Sequence, residues 1–600
     1  MTVYAPPLKD MRFLLHNVIG LDRLAALPGY EHVEADLVDA VLDEAGKFLT
    51  DVWFPLNRSG DIEGSHLRDG VVVTPEGFKD AYQQMAQAGW LGMPFPEEYG
   101  GGNMPATIVT AVGEFLNATN PSLAMAPGLT QGAVDALLEH GSEELKETYV
   151  RRLIGGEWTG TMCLTEPQAG SDVGALTTKA IPADNGTWRV KGTKIFISFG
   201  DHDLTDNIIH LVLARTPNSP PGTKGISLFL VPKYVVNDDG SLGERNDIKT
   251  VSLEHKMGIK ASPTCVLSFG DQGEGSVGYL VGEEREGMRY MFTMMNVARL
   301  VVGLSGVAVG EIAYQNALAY AQERVQGHPI GAPKDEVTPI IGHANVRRML
   351  MTMKAQVEAM RALVMENAFA LDMARAHPDE NTRKQYGLYA DLLTPVSKAW
   401  ATDLGIEVAS MAIQVYGGLG YIEESGMPQF YRDARIGAIY EGTNGIQALD
   451  LIGRKLPAAG GAAIMGFVGN MKAIDAELAA AGERFGSIRK LLADGVVALE
   501  QATGWLAMNG MQDPNQAAAG ATPYLRMLGT VAGGYFLAKS ALAASSLLEE
   551  GSPDKEFLEA KIATARYYAE QLLPLGTALL GPVTAGKETL FAIDPEHMRH

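Results

Sequence analysis

"TTKAIPADNGTWRVKGTKIFIS", residues 177–198, decides the fold. Two runs rich in β-branched and aromatic residues flank Asn185-Gly186, and that dipeptide supplies the positive φ angles a tight hairpin turn needs. Further short strands follow, "IIHLVLAR" (208–215), "GISLFLVP" (225–232) and "CVLSFGD" (265–271), with Pro- and Gly-rich joints between them. Residues 160–284 therefore read as a β domain. On either side the period changes. Leu37, Val38, Val41, Leu42, Ala45, Phe48, Leu49 and Val52 recur at helical spacing until Pro55 stops them. After Gly287, "MRYMFTMMNVARLVVGLSGVAVGEIAYQNALAYAQERV" and "VRRMLMTMKAQVEAMRALVMENAFALDMARA" are helical again.

The expected fold class is α+β and multidomain. Residues 1–34 form an extension, 35–159 a helical domain, 160–284 the β domain, 285–455 a helical bundle and 456–600 an additional helical domain. "LPAAGGAAIMG" (456–466) reads as the linker before the last of these. A β domain set between helical blocks is not the alternating pattern of a nucleotide-binding parallel sheet.

Composition narrows the function. The 49 Lys and Arg against 71 Asp and Glu give a net charge of −22. Such a field repels nucleic acid and anionic membranes, so neither is expected as a partner. Two cysteines, Cys163 and Cys265, are too few for a disulfide framework and suit a reducing compartment. The N-terminus lacks the basic-then-apolar order of a signal peptide. The longest apolar run, "LVVGLSGVAVG" (300–310), is too short to span a bilayer. A cytoplasmic location is expected.

Several motifs fall away. "GEGSVG" (273–278) matches a dinucleotide fingerprint in letters, yet a strand-like "YLVGEE" follows where a helix should hold the phosphates. "GPVTAGKE" (581–588) has Glu588 where a P-loop needs Ser or Thr. The histidines form no ligand cluster, so no metal is expected. The methionines of "MFTMMN" (291–296) read as core rather than groove.

"IYEGTNGIQ" (439–447) is harder to dismiss. Its carboxylate, Glu441, has no cation downstream until Arg454 and none upstream nearer than Arg435. A desolvated carboxylate is a better proton acceptor near neutral pH. Taken alone, the stretch reads as a carboxylate before a helix N-terminus. "MCLTEPQAGSD" (162–172) offers backbone N–H groups and hydroxyls to a polar ligand, or else only joins two domains.

Together with "KGTKIFISFG", "MNVAR", "ERVQG" and "QVYGGLGY", in this order, these stretches resemble the acyl-CoA dehydrogenase family of flavoproteins, over Ala35 to Leu451. The resemblance implies the same three-part order of domains. It also implies FAD held between the β domain and the helical bundle, with a second subunit contributing. The reaction it implies is removal of an α proton from an acyl-CoA thioester while a hydride leaves the β carbon for the flavin. On that resemblance Glu441 is the catalytic base, and its cation-poor surroundings would keep it basic; its N–H would help hold the thioester carbonyl. Some subfamilies place the base one residue before the arginine of "MNVAR", which here is Ala298.

The same resemblance assigns Met162, Cys163, Leu164, Thr165, Gly170 and Ser171 to the flavin, Ser171 also to substrate. Phe196, Ile197 and Ser198 would stand beside the ring system, Phe196 and Ser198 at positions where relatives usually carry Trp and Thr. Asn296 and Arg299 would contact acyl-CoA, although Asp is more usual at the first. Arg324 would reach the FAD pyrophosphate across a dimer, and "VQGHPIG" after it departs from the usual Lys-Thr-Phe. Gln414, Gly417 and Gly418 would meet the adenosine part, and Thr443 follows the base as a further cofactor contact. Tyr440 and Gly442 would frame the substrate thioester. A homo-oligomer, at least a dimer, is implied, with electron-transfer flavoprotein as electron acceptor.

The extra terminal segments, with "PLNRSGD", "GEWTGTMCLTEP", "LGERNDI" and "EHKMGIKASPTCVL", resemble a long branch of the family that includes 3-methylmercaptopropionyl-CoA dehydrogenases of dimethylsulfoniopropionate catabolism. "QAGSD" is closer to the generic members. The alternatives on this fold are a medium- or long-chain dehydrogenase of β-oxidation, an acyl-CoA oxidase, or a DNA-binding homologue, the last disfavoured by the net charge.

Overall fold

The computed structural model describes residues 2–331, 333 and 338–599. The chain divides into two compact units that do not follow its linear order. One comprises residues 47–104 and 119–301, the other residues 1–46, 105–118 and 302–600.

The first unit is built on an eight-stranded sheet. Its strands are β1 (Trp158–Cys163), β2 (Lys179–Pro182), β3 (Trp188–Ser198), β4 (Asn207–Arg215), β5 (Ile226–Pro232), β6 (Ile248–Leu253), β7 (Thr264–Phe269) and β8 (Ser276–Val281). They lie in the order β6-β7-β3-β8-β5-β4-β1, and β2 pairs with β3 and β4. The hairpin at Asn185-Gly186 is present, with Gly186 at φ +80° and Lys179 opposite Lys191. β4 and β5 are buried on both faces, which is why their sequences are continuous apolar runs rather than alternating ones. The helix Pro121–His140 packs on β1 at Gly160, where a Cβ would lie 2.5 Å from that of Ala133. Met291 and Met294 are buried in this unit's core, as their helical spacing predicts. "GEGSVG" leads into β8 and not into a helix.

The second unit is helical. Its principal elements are α1 (Leu8–Phe13), α2 (Ala106–Thr119), α3 (Gly287–Glu323, which enters from the first unit), α4 (Ala344–Ala376), α5 (Glu380–Tyr416), α6 (Asn444–Asp450), α7 (Pro514–Glu549) and α8 (Lys555–Gln571). Asp379 starts α5 by accepting from Thr382 N (2.8 Å), and Gly417 at φ +62° stops it. Half of the expected linker is helical, because only Ala459, Gly460 and Gly461 leave right-handed helical geometry before a new helix begins at Ala462.

α3 and α7 are long and apolar enough to cross a membrane, which counting uninterrupted apolar runs missed. Their most apolar windows are 56% and 61% buried inside the protein, the condition of core helices.

A buried ion network ties this unit together. Arg361 on α4 donates to Glu114 on α2 (2.6 Å), Glu311 on α3 (2.6 Å) and Asp10 on α1 (2.7 Å). Lys561 on α8 bonds Asp10 and Glu358, and Glu358 also pairs with Lys354. Four carboxylates thus face three cations. Burial pushes the Glu114 carboxyl up in spite of Arg361.

Candidate active site

In the β unit the sequence-predicted cofactor residues gather at the ends of β1 and β3. Alternation along β1 turns Thr161 and Cys163 to one face and Met162 to the other. Cys163 is fully buried, and burial pushes its thiol up to about 12. Leu164 and Ile197 are core side chains as well, so these three leave only backbone groups for a ligand. Met162, Thr165 and Ser198 are half-buried, whereas Gly170, Ser171 and Phe196 are exposed.

Phe196 is presented by a bulge. Ile197 faces Cys265 and Lys194 faces Leu267, so Ile195 and Phe196 together stand opposite Val266 alone. Phe196 takes φ +60° and is 58% exposed. Its left-handed backbone stores strain of the kind that clusters at functional sites, and its exposed ring leaves a flat apolar surface open to a ligand.

Two residues that the sequence reading missed hold this loop. Lys194, fully buried, donates to Leu164 O (2.9 Å) and to Glu166 (2.8 Å). Glu166 also accepts from Thr177 N (2.7 Å) and Thr178 N (3.0 Å). Burial alone would raise the Glu166 carboxyl; the Lys194 charge and these hydrogen bonds outweigh it and hold the group at about 2. Asn296 is exposed on α3, and the Arg299 guanidinium lies 5.9 Å from the Phe292 ring centre.

In the helical unit, Gln414, Gly417 and Gly418 are exposed at the end of α5, and a Cβ on either glycine would meet nothing within 4 Å. Tyr416 stacks on Tyr320 with ring centres 4.1 Å apart, which sets exposed Arg324, just past α3, beside the end of α5.

Glu441 is half-buried and left-handed, at φ +56°, and Gly442 follows at +83°. Left-handed geometry costs an ordinary side chain about 1–2 kcal/mol, so the loop must be held from outside. Lys398 Nζ donates to Gly442 O (2.8 Å) and Gln447 Nε2 to Glu441 O (3.2 Å). Thr443 caps α6 by accepting from Ile446 N (3.2 Å), so Glu441 stands two residues before the cap. The Tyr440 phenol bonds Ser305; burial, then the Glu441 charge, keeps it protonated. The neighbourhood of Glu441 is poor in cations along the sequence but not in space. Lys398 lies 43 residues upstream, and its one signal was a lone lysine inside the otherwise apolar "TPVSKAWA".

The residue types suit a flavin dinucleotide. The β unit supplies an exposed aromatic ring, hydroxyls at Thr165 and Ser198 and open backbone at Gly170. The helical unit supplies open glycines and an exposed arginine.

Four family profiles match the chain: the acyl-CoA dehydrogenase N-terminal (41–157), middle (161–272) and C-terminal (285–456) domains, then an acetyl-CoA dehydrogenase C-terminal-like domain (467–594). The chain belongs to the acyl-CoA dehydrogenase family. As an acyl-CoA dehydrogenase it is an FAD-dependent oxidoreductase acting on acyl-CoA thioesters, and its helical, β and helical domains are those of that fold.

This dehydrogenase is 45% identical to the 3-methylmercaptopropionyl-CoA dehydrogenase of Ruegeria pomeroyi, over 95% of its own length and 96% of that protein's. It is 37% identical to a butyryl-CoA dehydrogenase of Syntrophomonas wolfei, over 95% of each. The crystal structure of Caenorhabditis elegans ACDH-11 in complex with C11-CoA superposes with a TM-score of 0.79 at 22% identity, covering 98% of this chain and 96% of that one, which shows the fold.

Proposed function

We propose that this enzyme oxidises short straight-chain and sulfur-containing acyl-CoAs, including 3-methylmercaptopropionyl-CoA, to trans-2-enoyl-CoAs, with Glu441 as the base. The observation that carries the assignment is the anchored left-handed Glu441, a strained carboxylate that the surrounding bonds hold in place. In the reaction the Cα–H bond breaks and the proton passes to the Glu441 carboxylate. The electron pair forms the new C=C bond as the hydride leaves Cβ. FAD supplies the hydride acceptor. The Glu441 N–H supports the thioester carbonyl as negative charge develops there, with Tyr440, Gly442, Ser171, Asn296 and Arg299 around the substrate. Met162–Thr165, Gly170, Phe196–Ser198, Arg324, Gln414, Gly417, Gly418 and Thr443 are assigned to the cofactor.

The names of the two relatives support a short or thioether-bearing chain. A missing methylene changes discrimination by only ~1–3 kcal/mol, so selectivity should be graded. Anaerobic bleaching of the flavin by an acyl-CoA panel tests this. Butyryl-CoA and 3-methylmercaptopropionyl-CoA should both react, with α-branched thioesters poor. A kcat/KM for palmitoyl-CoA far above all short substrates would move the enzyme to a long-chain role.

The enzyme is further proposed to act in the cytoplasm, in dimethylsulfoniopropionate catabolism, as at least a homodimer that passes electrons to electron-transfer flavoprotein. Exposed Arg324 supports a cofactor contact completed by a second subunit. Arg324→Ala should lower flavin content and dimer content together in light scattering. A monomer with full flavin would overturn the pairing, and turnover with oxygen but not with the flavoprotein would make the enzyme an oxidase.

A further inference from the structure

Lys398 sits at the middle of α5, fully buried. A lysine ammonium is costly to bury, and nothing in the packing of an apolar helix requires one. Its Nζ reaches the Gly442 carbonyl (2.8 Å) and Asn444 Oδ1 (2.8 Å). The Asn444 amide in turn donates to Ala399 O (3.1 Å), Thr402 Oγ1 (3.0 Å) and Asp403 Oδ1 (2.7 Å). Every one of these partners lies on a single stretch of α5, residues 398–403. The turn before the base is seated on the same stretch, since a Cβ on Gly437 would lie 3.0 Å from Thr402 Cγ2. Gln447, fully buried on α6, closes the loop from the other side through Glu441 O (3.2 Å) and Gly442 O (3.4 Å).

The pattern of bonds is selective. The carbonyl of the Glu441–Gly442 peptide is pinned by the Gln447 amide, and the next carbonyl, Gly442 O, by the Lys398 ammonium together with that amide. Pinning them fixes two successive left-handed residues, and with them the direction of the Glu441 side chain and of its N–H. Without the ammonium, Glu441 has an energetic reason to return to an ordinary backbone region, and the carboxylate would swing.

We propose that Lys398 is the positioning residue of the base, fixing the left-handed Glu441–Gly442 peptide so that the carboxylate meets the α carbon. This rests on Glu441 being the base. A displacement of about 1 Å at a reacting group costs on the order of 100-fold, which sets the effect expected.

The test is Lys398→Met in the full-length holoenzyme, a change that keeps length and apolar volume and removes the three donors. Flavin reduction by saturating butyryl-CoA should slow about 100-fold. Flavin content, thermal midpoint and the apparent Kd for butyryl-CoA should stay near those of the parent. The isotope effect with α-deuterated butyryl-CoA should grow, because proton abstraction becomes more limiting. Lys398→Arg, which keeps charge and donors, should recover part of the rate. A purely structural role would instead lower flavin content and stability and leave the isotope effect alone, and that result overturns the proposal.

Reduction within a few-fold of the parent overturns it too. Should Lys398→Met lose its flavin, Gln447→Leu pins one carbonyl fewer and keeps the lysine. A flavin-loaded Gln447→Leu with parent-like reduction and isotope effect would likewise sink the idea. Glu441→Gln run beside them separates the two readings. If it is active, the base assignment is wrong; if it is inactive while Lys398→Met is parent-like, only the positioning role falls.

Discussion

Glu441→Gln should lower turnover by about 10⁴-fold, the upper end of what a general base contributes, while leaving the flavin bound. The amide has the shape of the acid, and the anchors on this loop are to backbone carbonyls, so the geometry survives. What is lost is the ability to accept a proton from a weakly acidic carbon. The sequence offers no substitute at the alternative position, which is Ala298. Anaerobic mixing with butyryl-CoA reads the result directly: the variant keeps its visible spectrum and does not bleach. Bleaching at a rate close to the parent's would take Glu441 out of the mechanism and return it to the role of a carboxylate before a helix.

The second large effect is on stability. Arg361→Met should destabilise the protein by about 3–5 kcal/mol, the cost of stranding buried charges by removing their partner. Arg361 is 1% exposed and serves three carboxylates, Glu114, Glu311 and Asp10. Methionine fills much of the space and restores none of the five N–H donors. Glu114→Gln is the contrasting variant: it keeps the shape, removes the surplus negative charge, and should cost far less. Urea midpoints of the two variants at neutral pH decide the matter. If Arg361→Met shifts stability by under about 1 kcal/mol, the network is incidental and these ion pairs carry little net energy.

What could be read from the sequence was what repeats or turns locally. Asn185-Gly186 marks the hairpin because only certain residues tolerate its φ angles, and the continuous runs of β4 and β5 mark a twice-covered sheet. The resemblance that named Glu441 rests on such local stretches. Lys398, Lys194 and the Arg361 network were not legible for one reason. Each acts on residues 28 to 551 positions away, and a buried lysine has no periodic signature. The bulge at Phe196 was hidden too, since it depends on how many residues β7 places opposite it. The membrane-length helices misled in the other direction: small and polar residues break their apolar runs without breaking the helices.

The Asp10–Lys561 pair has a consequence for how the molecule is made. The two partners are 551 residues apart, so the first helix leaves the ribosome long before its counterion has been translated. Until α8 emerges, Asp10 has only Arg361 and Glu358 only Lys354 as counterion, and the link that Lys561 makes between α1 and α4 cannot form. Closure of this network therefore waits for α8. Cutting the gene back to residues 1–456, where the match to the C-terminal domain profile ends, would leave Asp10 and Glu358 without Lys561.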